Sequence, residues 1–127
     1  IIRSCVAGNI DAIMIQEKNS AKISPLVIKA SAGTLFKMTI IKTQNLQNTL
    51  MNYKQNGAEL FSLSPNANSI FNEQKLTNKT IFILGNENEG VSKEIESLAN
   101  KKIKIPMNNG VESLNVAVTA ALLSFCN

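Results

Sequence analysis

The chain has 127 residues, enough for a single domain with a real core, at the small end for an α/β enzyme. A net charge of +4 allows an anionic partner without requiring one, and most such surfaces are simply solvated lysine. The chain contains no histidine, and Cys5 and Cys126 lie near opposite ends, which sets aside a zinc site and any Ser-His or Cys-His nucleophile.

Along the chain, short β-branched runs alternate with longer amphipathic segments. The opening "IIRSCVA" reads as a helix, and "DAIMIQ" at 11–16 as the first strand. "SPLVIKASA" follows, a helix with Ser24 as N-cap and Pro25 in its first position. Strand "MTIIK" at 38–42 and helix "LQNTLMNYKQN" come next, then strand "AELFSLS" at 58–64. "PNANSIFNEQKL" is expected to be loop with a short helical turn. Strand "TIFILG" at 80–85 is apolar almost throughout, as expected of a central strand covered on both faces. Helix "SKEIESLAN" has Ser92 as cap and acidic residues in its first turn. Strand "KIKIP" at 102–106 and a final helix "LNVAVTAALLSF", with Ser113 as its cap, complete the pattern. Alternating strands and helices predict an α/β fold, a parallel sheet flanked by helices. No run of about 18 apolar residues occurs and no signal-like segment opens the chain, so a cytoplasmic protein is the expectation.

Open α/β sheets bind ligands beyond the carboxyl ends of their strands. Three polar or glycine-containing stretches fall there: "SLSPNA", "GNENEG" and "PMNNGVESLN". "GNENEG" has Gly85 and Gly90 at phosphate-loop spacing, but Val91-Ser92 replaces the Lys-Ser/Thr pair and Glu87 and Glu89 would repel phosphate. A plain turn that uses glycine for its backbone freedom explains the glycines but not two carboxylates. In "PMNNGVESLN", a capped core helix accounts for Ser113 and leaves Asn115 without a role. Arg3 is the only arginine among thirteen basic residues, which suggests a position that needs a planar, permanently charged fork.

"IFILGNENEGVS" at 81–92 and "IKIPMNNGVESLNVAVTAALL" at 103–123 resemble motifs 2 and 3 of the SpoU (TrmH-like) RNA ribose 2′-O-methyltransferases of the SPOUT superfamily. "IIRSCVAGNIDAIMI" looks like the second half of motif 1, and "KASAGTLFKMTIIKTQNL" is similar to the subgroup acting on a guanosine of 23S ribosomal RNA. The resemblance covers essentially the whole chain. It implies a C-terminal trefoil knot, a homodimer, S-adenosylmethionine as cofactor and RNA as partner, with rRNA favoured and tRNA next. It implies neither metal nor membrane.

By resemblance, Leu63, Gly85, Ile105, Met107 and Leu114 fall on cofactor-binding positions, with Met107 lining the adenine pocket. Arg3, Glu87, Ser113 and Asn115 fall on catalytic and polar site positions. The residue types suit an in-line displacement, in which positioning supplies much of the rate and the cofactor carries the activated group. Arg3 is suited to gripping a phosphate beside the target ribose, with Glu87 orienting it or a loop amide. The family's motif 1 begins with an Asn upstream of that Arg, and relatives often carry an N-terminal RNA-binding domain. Residues 1–127 are therefore expected to be the catalytic domain of a longer protein. A SpoU-fold module that binds RNA without catalysing is the alternative from another class, and a flavodoxin- or Rossmann-type nucleotide binder is the third.

Overall fold

Strand-forming runs and helix-forming runs alternate in the computed structural model as their sequence periods require, and the structure describes residues 1–125. Cys126 lies outside that range. The chain divides into two compact units, one holding Ile1–Leu46 and the chain from Ala117 on, the other Gln47–Val116.

In the first unit, α1 (Ile2–Ala7) leads to β1 (Ala12–Gln16), and α2 (Pro25–Ala30) with a 3-10 turn (Thr34–Lys37) crosses over to β2 (Thr39–Thr43). The two strands are parallel, in register from Ala12 beside Thr39 to Gln16 beside Thr43. Ser24 and Pro25 stand at the start of α2 as expected, although the Ser24 side chain makes no capping bond. The last helix, α5 (Val116–Phe125), returns to this unit and buries Ala120, Leu123 and Ser124. Its Ser124 hydroxyl donates to the Ala120 carbonyl at 2.6 Å and lies 3.6 Å from Cys5 Sγ, while the Asn9 N–H donates to the Ser124 carbonyl at 2.8 Å. Gly8 permits this approach, because a Cβ there would collide with the Ser124 backbone.

The second unit is built on four parallel strands: β3 (Glu59–Leu63), β4 (Ser69–Ile70), β5 (Thr80–Ile83) and β6 (Lys101–Lys104), in spatial order β4-β6-β3-β5. Helices α3 (Leu46–Gln55) and α4 (Lys93–Glu96) alternate with them, with a 3-10 turn at Phe71–Glu73. Leu60, Phe61 and Ile103 are fully buried at its centre. Phe82 stacks 6.0 Å from Phe61 and meets Phe71 edge-on at 5.8 Å. Ser92 caps α4 by accepting from the Ile95 N–H.

Two expectations are corrected here. "TIFILG" was expected at the centre of a sheet, yet among the described residues β5 pairs with β3 alone and ends its sheet, while β3 and β6 hold the middle. An apolar run reports cover on both faces, and cover comes from packed helices as well as from neighbouring strands. The segment 65–76, expected as loop with a helical turn, has that turn and also β4, two residues that pair with β6.

Candidate functional site

Within the second unit, β3 lies between β5 and β6, and all three point the same way. Ser62 sits beside Ile83 and Leu63 beside Ile103, so the loops after the three strands leave from one edge. The three stretches singled out in the sequence therefore converge there, where α/β sheets take their ligands.

The loop after β5 is tightly closed. Asn86 and Gly90 exchange backbone hydrogen bonds at 3.2 and 3.1 Å, and Asn86 Oδ1 accepts from the N–H groups of Asn88 (3.0 Å) and Glu89 (2.6 Å). Gly90 takes a left-handed φ of 71° to close the turn. Gly85 has another reason to be glycine, since a Cβ there would collide with the backbone of Gly90 and Val91. Asn86 was missed by sequence reasoning; an Asn opening a turn that ends in Gly was the available signal. The folded loop leaves Glu87 and Glu89 exposed at its tip.

The loop after β6 turns at Asn109 and Gly110, with φ of 56° and 75°, and the Val111 N–H donates to the Asn108 carbonyl at 3.2 Å. From Val111 to Asn115 the chain has no regular structure and every residue is exposed. The final helix begins at Val116, two residues later than expected, so Ser113 is not its cap. Asn115 occupies the flanking position, and Asn is among the residues favoured there. Ser113 is left exposed in the loop.

Leu63, Ile105 and Met107 are half-buried and Leu114 is exposed, so apolar side chains border the edge without being covered. Such a rim suits a flat apolar ring, and the glycine loop beside it lets a ligand approach the backbone. Glu87, Glu89 and Glu112, all exposed on these loops, oppose a triphosphate and favour a cationic ligand. S-adenosylmethionine, an adenosine bearing a sulfonium, fits this donor set. Eight of the nine sequence-derived residues stand in this unit; Arg3 stands on α1 of the other, exposed. Among the described residues, no group of three His, Cys, Asp or Glu side chains could hold a metal, and no helix is long and apolar enough to cross a membrane.

Comparison with known proteins gives a consistent result. The model of the SpoU rRNA Methylase family matches residues 1–125. An uncharacterized tRNA/rRNA methyltransferase of Mycoplasma genitalium is 35% identical over 127 residues, covering 98% of this chain and 52% of that protein. A solved RNA 2′-O ribose methyltransferase superposes with a TM-score of 0.85 at 27% identity, covering 98% of this chain and 48% of the other. The SpoU methyltransferase AviRb from Streptomyces viridochromogenes, solved with AdoMet, shares the fold at a TM-score of 0.86 and 22% identity, covering 98% and 51%. The chain spans about half the length of these proteins.

Proposed function

The chain belongs to the SpoU rRNA Methylase family, and from that premise we propose that it moves a methyl group from S-adenosylmethionine to a ribose 2′-hydroxyl of RNA. A guanosine of 23S rRNA in the cytoplasm is the favoured substrate and a tRNA the next. The observation that carries the reading is the convergence of the loops after β3, β5 and β6, bearing both family motifs, on one sheet edge.

When bound, S-adenosylmethionine supplies a methyl group already activated on a sulfonium. Leu63, Ile105, Met107 and Leu114 would hold its adenosine, with the backbone at Gly85 beside them. Carboxylates on the loops, Glu87 foremost, offset the sulfonium charge. Asn115 and Ser113 offer hydrogen bonds toward the substrate side of the last loop. Arg3, exposed on α1, grips a phosphate of the RNA and stabilises charge developing on the ribose oxygen; a guanidinium holds its proton too firmly to act as base.

A homodimer belongs to the same reading. Val118, Leu122 and Phe125 form an exposed apolar stripe on the face of α5 opposite its buried residues. The family's trefoil knot is part of the proposal too, supported by β6 inserting between β3 and β4, both earlier in the chain.

Calorimetric titration with S-adenosylhomocysteine, beside NAD and ATP, tests the reading. Selective binding of the first at about one per chain is expected. No binding to a folded, dimeric sample would refute it in favour of a non-catalytic module.

A further inference from the structure

The charge of the chain is unevenly shared. The first unit carries six cationic side chains against two carboxylates, while the second carries seven against seven, so the whole net charge of +4 resides in the first. Within that unit, Lys18, Lys22, Lys29, Lys37 and Lys42 follow one another with no carboxylate between them, and all five are exposed.

The two most exposed large apolar side chains of the described residues lie in the same run, Leu26 at 76% and Phe36 at 77%. They are held on a stiff element. The Ser31 hydroxyl donates to the Ile28 carbonyl at 3.0 Å and accepts from the Leu35 N–H at 3.3 Å, while Thr34 Oγ1 donates to the Ser31 carbonyl at 2.7 Å. Ala32 and Gly33, with φ of 52° and 76°, reverse the chain between α2 and the 3-10 turn. Leu35 is anchored in the core, which leaves its neighbour Phe36 turned outward and fixed. At the other end of the two strands, beyond the carboxyl ends of β1 and β2 where the crossover to α2 begins, a cavity of about 310 Å³ is bordered by Gln16, Ser20, Lys22 and Lys42, with Glu17 its lone carboxylate.

We propose that the crossover of this unit, from the β1–β2 cavity along α2 to Phe36, is a contact surface for single-stranded RNA. Lysines tracking a backbone, combined with an outward aromatic ring, are the two parts of a single-strand binding surface. Lys22 and Lys42 with Ser20 cradle a phosphate, Lys29 and Lys37 pair with others, and Phe36 stacks on a base with Leu26 as apolar support. Charge selects the occupant: a second copy laid against this face would oppose lysine with lysine, whereas RNA neutralises it. The inference rests on the reading of the chain as an RNA-modifying enzyme.

The test is fluorescence anisotropy of a labelled mixed-sequence single-stranded RNA of roughly 12 nucleotides, with S-adenosylhomocysteine titrated in parallel and sedimentation run on each protein. Phe36→Ala is expected to raise Kd roughly 5- to 150-fold, the range that loss of one base–aromatic stack produces. Phe36→Trp restores binding, and Lys29→Gln with Lys37→Gln flattens the salt dependence by about 1.4 log units per log unit of salt. Unchanged RNA affinity in Phe36→Ala, with S-adenosylhomocysteine still bound, overturns this surface and leaves the methyltransferase reading standing. A Phe36→Ala protein that sediments as a smaller species than wild type also overturns it, because a second copy then covers the ring. A wild-type chain that binds neither ligand overturns the enzyme reading itself, and this surface with it.

Discussion

Gly85→Ala puts the link between backbone geometry and the candidate site under direct strain. A Cβ on residue 85 would lie 2.5 Å from Gly90 Cα, and closer to the Gly90 carbonyl carbon and the Val91 nitrogen. Carbon atoms settle at about 3.5–4.0 Å, so the returning limb of the loop must retreat by roughly 1 Å. The obstacle is backbone, which cannot rotate aside as a side chain can. Relief must therefore come from displacing residues 86–91, away from the arrangement that Asn86 ties together. Overpacking of this kind costs about 1–3 kcal/mol, and an exposed loop yields at the low end. At roughly 4 °C per kcal/mol, thermal melting should show a fall of only a few degrees. The site responds more steeply, since a misplacement of about 1 Å can cost on the order of 10²-fold in rate. Calorimetry with S-adenosylhomocysteine and single-turnover methyl transfer should both deteriorate far more than stability. Gly33→Ala is the control: its φ of 76° penalises alanine by about 1 kcal/mol, but no atom lies within 4 Å of the added methyl. It should melt slightly lower and bind ligand normally. If Gly85→Ala keeps wild-type ligand affinity and rate, the close approach of this loop does not shape the site.

Other substitutions examine separate links. The buried Leu60 N–H donates to Asn100 Oδ1 at 2.9 Å, so Asn100→Ala should cost about 1–3 kcal/mol in urea unfolding, while Asn100→Asp keeps the acceptor and most of the stability. Among the described residues the Ser62 hydroxyl, buried in β3, has no hydrogen-bond partner, so Ser62→Ala should be neutral or stabilising by up to about 1 kcal/mol; a clear loss of stability would refute that reading. Glu87→Ala and Asn115→Ala should each cut methyl transfer sharply, and the exposed Glu87 should change stability by no more than about 0.5 kcal/mol. Wild-type rates in either variant remove that residue from the site. Arg3→Lys should lose most of the turnover if a two-pronged phosphate contact matters, and near wild-type turnover would sink the fork-specific role.

Five strands and five helices were legible because each announces itself locally. β-branched runs such as "DAIMIQ" and "MTIIK" became β1 and β2, displaced by no more than a residue at either end. Ser92 capped α4 because a hydroxyl at that offset has an orphan N–H within reach. What stayed hidden depends on partners distant in the chain. Nothing in "TIFILG" says which strands will flank it, and nothing in "SI" at 69–70 says that β6 will come to pair with it. The start of α5 was misjudged because Ser113 and Asn115 are both competent caps; the turn at Asn109–Gly110 and the irregular stretch after it delay helical geometry until Val116. Of the candidate site, the two carboxylates of "GNENEG" stood out from the residues themselves and the apolar rim came only through the family resemblance, while the closure by Asn86 was not legible, since an Asn in a loop is usually only a loop residue. Charge shows the same division. A total of +4 said little about function when spread over 127 residues. Once the fold assigns all of it to the unit that holds Leu26 and Phe36 outward, and none to the unit with the acidic loops, the same number separates two chemistries. On the proposed reading, one unit offers a surface for a polyanion and the other an edge for a cationic cofactor, the two that a reaction between RNA and S-adenosylmethionine would need.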